Sequence, residues 1–146
     1  MSILASQVKE LRDISGVGMM ECKKALVKTD GNLQKALDLL RANSSLKAEK
    51  KASRVAADGV IMIADNYAYS SLVEINSETD FAAKDSQFKD FAIDVANYLS
   101  NNQVNDIEDL SAEFEAKRQS LIQSIGENIQ LRRVATLEVP SNGCIG

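Results

Sequence analysis

Apolar residues recur along the chain at two different spacings, and the change between them divides it. Leu4, Val8, Leu11 and Ile14 stand three or four residues apart. That puts one stripe on one face of a helix over about 4–15. Gly16 follows, where a helix can close through a left-handed residue. Met19, Cys22, Ala25 and Leu26 give the inward stripe of a second helix, to about Thr29, stopped by Asp30-Gly31. Asn32 is placed to cap a third helix bearing Leu33, Ala36, Leu37 and Leu40. Three short helices predict a bundle over 1–43, near the lower size at which a domain folds alone. Residues 44–55 are polar and mostly basic. They read as a solvated linker with room for one helical turn, rather than as a contact for an acidic partner.

From residue 56 the spacing shortens. Val60–Ala64 is a strand, Asp65-Asn66 a turn and Tyr67–Ile75 a second strand, together an antiparallel hairpin. After a polar stretch, Asp85 or Ser86 caps a helix with Phe88, Phe91, Ala92, Val95, Ala96 and Leu99 on one face, the strongest amphipathic signal in the chain. Phe114, Leu121, Ile122 and Ile125 mark a long helix ending at Gly126. Arg118 interrupts its stripe, so part of it is expected to face solvent or a partner. Residues 129–139 form a third strand, in which the doubled Arg132-Arg133 breaks alternation and predicts a bulge. The fold class is α+β: a three-helix bundle, then three antiparallel strands packed on helices over 56–146.

Composition narrows the chemistry. The chain has 146 residues and a net charge of -4, so general attraction to nucleic acid or anionic membrane is not expected. No apolar run approaches the ~20 residues of a bilayer span. The first residues carry neither a basic region nor a long apolar run, so no export signal is read and a cytoplasmic protein is expected. There is no histidine, which removes the usual general base and the commonest metal ligand. Cys22 and Cys144 read as reduced thiols, with no zinc-site spacing. Gly16-Val17-Gly18 is no phosphate loop, since no strand precedes it and no Gly-Lys-Ser/Thr follows. No catalytic, cofactor-binding or metal-binding residue is therefore assigned.

The segment between the hairpin and its helix stands out. Thr79, Asp80 and Phe81 place a polar pair and a large aromatic in a loop carried by regular elements, where recognition usually sits. Local physics favours the plainer account: Phe81 folds back as a hydrophobic staple and Asp80 caps a helix. Met19 and Met20 form either an adaptable contact surface or one core and one exposed residue.

Four ordered stretches then coincide. Gly16-Val17-Gly18-Met19-Met20-Glu21-Cys22-Lys23-Lys24-Ala25-Leu26 resembles the N-terminal signature of the bacterial elongation factor Ts family. Glu74-Ile75-Asn76-Ser77-Glu78-Thr79-Asp80-Phe81-Ala82-Ala83-Lys84-Asp85 resembles its second signature. Ala56-Ala57-Asp58-Gly59-Val60 and Ile125-Gly126-Glu127-Asn128-Ile129 match in order and spacing. The resemblance reaches Val139. It implies a guanine-nucleotide exchange factor for the GTPase elongation factor Tu, without covalent chemistry. It also implies a first domain of the ubiquitin-associated type. By the same resemblance Thr79, Asp80, Phe81 and Ala82 would disturb the GTPase's magnesium site, and Val8, Leu11, Arg12, Met19 and Met20 would contact its nucleotide domain. Ala82 stands where the family commonly has a bulkier aliphatic. Family members usually continue into another core segment, so a fragment is expected, with a docking module that does not drive exchange as the alternative.

Overall fold

A computed structural model describes residues 3–142; Cys144 lies outside them. The order of elements is α1 (Ala5–Ser15), α2 (Met19–Lys28), α3 (Leu33–Lys51), β1 (Asp58–Asp65), β2 (Tyr69–Ser77), α4 (Asp80–Lys84), α5 (Ser86–Asn101), α6 (Ile107–Ile125) and β3 (Ile129–Glu138). The architecture is α+β. The chain forms two compact units, Met1–Ser53 with Gln119–Glu127, and Arg54–Arg118 with Asn128–Gly146.

In the first unit, Val8, Leu11, Val17, Cys22, Ala25, Leu26, Ala36 and Leu40 make the core of α1, α2 and α3. Gly16 closes α1 at φ 67°, and its N–H donates to the Arg12 carbonyl at 2.8 Å. Asn32 caps α3 by accepting from the Lys35 N–H at 2.9 Å. The ends of the α1 stripe do not reach the core: Leu4 and Ile14 are exposed. Met19, expected inward from its spacing, is 47% exposed, leaving Cys22, Ala25 and Leu26 as the buried face of α2.

The linker expected at 44–55 is helical as far as Lys51. The stretch has no glycine or proline, and Leu46-Lys47-Ala48-Glu49-Lys50-Lys51 are all good helix formers. Its inward face is made of small residues, Ser44 and Ala48, one turn apart below Leu40. A stripe of small residues leaves little hydrophobic signal. Ser44 Oγ donates to the Leu40 carbonyl at 2.9 Å and hydrogen-bonds Gln123, in the last turns of α6. Gln123 also donates to Glu21, which accepts from Lys47 Nζ at 2.6 Å. Burial pushes the Glu21 carboxyl up, but hydrogen bonds from Lys47 and Gln123 outweigh it, and the group sits below the ordinary carboxylate range.

The second unit is built on a sheet of order β1-β2-β3, antiparallel throughout. Asn66 forms the β1–β2 turn, its Oδ1 accepting from the N–H groups of Ala68 and Tyr69. Val73 and Ile75 of β2 are fully buried on one face of the sheet, while Leu72 of β2 and Ile61 and Ile63 of β1 are exposed on the other. All six expected apolar residues of α5 are buried, and Asp85 caps it by accepting from Gln87 N–H at 2.8 Å. Phe114 of α6 meets Phe91 and Tyr98 edge-on, with ring centroids 5.9 and 5.4 Å apart.

Both arginine expectations have clear outcomes. The bulge is present: Ile75 pairs with Leu131 but Glu74 with Arg133, so Arg132 is the extra residue. Part of α6 does face solvent, at Ala112, Glu113, Ala116 and Lys117, but Arg118 is not among the exposed residues. Its side chain is 19% exposed and is clamped, with Nε and Nη2 on Glu115 and Nη1 on the Ile129 carbonyl at 2.8 Å. A guanidinium carries enough donors to be covered and satisfied at once, which spacing alone does not reveal.

Candidate functional site

The stretch after β2 is a tight structured turn rather than an open loop. β2 runs on to Ser77, and α4 begins at Asp80. Thr79 is extended at φ -131° and is the N-cap, its Oγ1 accepting from the Ala82 N–H at 3.3 Å. Asp80 is therefore the first helical residue, not the cap. Its carboxylate accepts from Lys84 Nζ at 2.6 Å across one turn. That hydrogen bond, and the lysine charge behind it, hold the Asp80 carboxyl below its usual range and raise Lys84. The pair orients the Asp80 carboxylate.

Phe81 settles the choice between staple and surface. It is 80% exposed, so it makes no staple. Ala82 and Ala83 carry the buried face of α4. A five-residue helix cannot bury both faces, and here the two alanines take the buried one. The set expected to act together thus splits by role. Asp80 and Phe81 face outward, Thr79 holds the turn, and Ala82 anchors it.

The root of the turn is tied to the sheet. The β2–β3 ladder ends at Ser77 opposite Ile129. Ser77 Oγ donates to the Thr79 carbonyl at 2.9 Å. The N–H of Asn128 donates to Glu78 Oε1 at 2.7 Å, and Asn128 Nδ2 donates to the Arg54 carbonyl, also at 2.7 Å.

The other expected contacts lie in the bundle and also divide. Val8 and Leu11, expected as contacts, lie in the core of the bundle. Arg12, Met19 and Met20 are exposed around the α1–α2 turn, Met20 at 66%. Neither methionine packs in the bundle. Lys84 was not singled out from sequence, although the Asp80–Lys84 spacing of four was there to be read. Glu78 and Asn128 are 50 residues apart, and no local signal joins them. Among the described residues no group of three or more His, Cys, Asp or Glu is placed to hold a metal ion, and no helix is long and apolar enough to cross a membrane.

Residues 78–146 match the family model described as elongation factor TS. An elongation factor Ts of Haemophilus influenzae is 52% identical over 136 residues, covering 93% of this chain and 48% of that protein. Over the part it spans, the chain belongs to the elongation factor Ts family. The elongation factor Ts of Shewanella sediminis is 49% identical over 138 residues, covering 94% of this chain and 49% of its own length. That of Marinobacter nauticus is 48% identical over 145 residues, covering 97% and 50%. The chain spans about half the length of the curated relatives it matches.

Proposed function

We infer that the chain serves translation elongation as a guanine-nucleotide exchange factor, acting non-covalently on the GTPase elongation factor Tu in the cytoplasm. The observation that carries this reading is Phe81, an exposed aromatic on a capped turn beside a lysine-held carboxylate. A GTPase holds its nucleotide through phosphate contacts and a bridging magnesium ion. A factor that binds the empty form more tightly than the loaded form weakens nucleotide binding by the same factor. Phe81 inserted between elements of the GTPase would contribute about 1.5–3 kcal/mol of apolar burial. Asp80 would shift the elements that hold the metal. Arg12, Met19 and Met20 would add contacts from the bundle, where methionine suits an adaptable surface.

The test is release of labelled GDP from elongation factor Tu. Phe81→Ala is expected to slow release by roughly tenfold or more while leaving thermal stability unchanged, because the ring is not in the core. Release as fast as with the parent chain sinks the assignment. The exposed Arg12, Met19 and Met20 around the α1–α2 turn favour a second reading, a module that docks on the GTPase without efficient exchange. Binding to the GTPase with no acceleration of release selects it.

A further inference from the structure

We propose that Glu78 is a positioning residue, whose carboxylate, bridged to the start of β3, fixes the direction in which Asp80 and Phe81 project. The proposal rests on the reading of that pair given above. Beyond the Ser77–Ile129 pair, β2 must turn away to start α4, so no backbone acceptor from β2 is left for the next residue of the β3 chain. That residue is Asn128, which is fully buried. A buried backbone N–H without a partner is rarely tolerated. Glu78 supplies the missing acceptor through its side chain, at 2.7 Å.

The same contact fixes the turn. Glu78 directly precedes the capping residue Thr79. Holding its carboxylate at one end and Ser77 in the ladder at the other leaves the intervening backbone little freedom. Ser77 Oγ on the Thr79 carbonyl removes more of it. Arg54 Nη1 lies 3.5 Å from Glu78 Oε1 and biases the carboxylate toward this position. Asn128 in turn holds the Arg54 backbone through its Nδ2. A five-residue helix has too few internal hydrogen bonds to set its own direction. Its aim must come from its root, and an anchor that projects from a fixed root loses less on binding than one that must first be ordered.

The chain has no tryptophan, so Phe81→Trp places a single tryptophan at the tip, excited at wavelengths the tyrosines do not absorb. Its anisotropy decay in the free protein reports local motion of the turn with no GTPase present. In that background Glu78→Ala is expected to add fast local motion well below the melting temperature. Glu78→Gln, whose amide oxygen still accepts from Asn128, is expected to restore the parent decay. With Phe81 retained, Glu78→Ala is expected to slow GDP release from the GTPase about tenfold, equal to ~1.4 kcal/mol, and Glu78→Gln to stay near the parent rate. An unchanged tryptophan decay in Glu78→Ala overturns the proposal, whatever exchange does. Added motion with unchanged exchange upholds the positioning role and counts against the turn as the exchange element. If Glu78→Ala does not fold, hydrogen exchange on the parent chain decides. A slow Asn128 amide, protected together with the amides of 82 and 83, supports the bridge, and exchange of Asn128 at the free-peptide rate overturns it.

Discussion

Gly59 shows what a single position can demand. Its φ of 142° lies in a region that L side chains rarely adopt, and a Cβ there would sit 2.1 Å from the Ile75 carbonyl oxygen. The neighbour is backbone of the central strand and cannot swing aside. Gly59→Ala is expected to destabilise the protein by more than about 2 kcal/mol, since the strained backbone alone costs ~1–3 kcal/mol, and urea denaturation will measure it. Glu74 is the residue most altered by its neighbours. Arg132 and then Arg133 donate to its carboxylate and pull its pKa down to about 2 from 4.5. Its folded value lies below its unfolded one, so its stabilising contribution is complete above about pH 4.5 and is lost as pH falls toward 2. Melting temperatures across that window are expected to fall less steeply for Glu74→Gln than for the parent. The glycine was legible in sequence as part of a motif, without its reason. The reach of both arginines to Glu74 was not legible, because the partner lies on another strand.

Elements were legible where their signal was large and local. The α5 stripe and the Asn32 cap followed from spacing and residue type alone. The bulge in β3 also followed, because two adjacent charges cannot both keep the alternation of a half-buried strand. Deleting Arg132 tests that reading. Leu131 and Arg133 would then alternate inward and outward without interruption, so the fold is expected to persist. Glu74 loses one arginine, and NMR titration of its carboxyl should show a pKa moved up from about 2. Loss of the sheet would mean the bulge is required for register. The extension of α3 was missed because its inner face is Ser44 and Ala48, residues with little apolar weight that bury only because a neighbour comes close enough to cover them. The covering partner includes Gln123, 79 residues away.

At the scale of the molecule, neither compact unit is one continuous stretch of chain. Met1–Ser53 is completed by Gln119–Glu127, and Arg54–Arg118 by Asn128–Gly146. A peptide of residues 1–53 is therefore expected to be less stable than the same bundle in the intact chain. It lacks Gln123, which bonds both Glu21 and Ser44, and a typical hydrogen bond contributes about 0.5–1.5 kcal/mol net. Circular dichroism melts of peptide and chain make the comparison, and equal melting temperatures would show that the last turns of α6 contribute nothing to the bundle. The sequence by itself determined the class and order of the elements, the bulge and the resemblance to a family. All of these rest on residue type and spacing within a few turns of chain. The tertiary structure alone decided which apolar side chains stay outside. Val8 and Leu11 went to the core, Met19 and Met20 did not, and Phe81 became a projecting ring rather than a staple. Burial depends on which other elements arrive at a given face, and that is set by contacts between residues far apart in the chain.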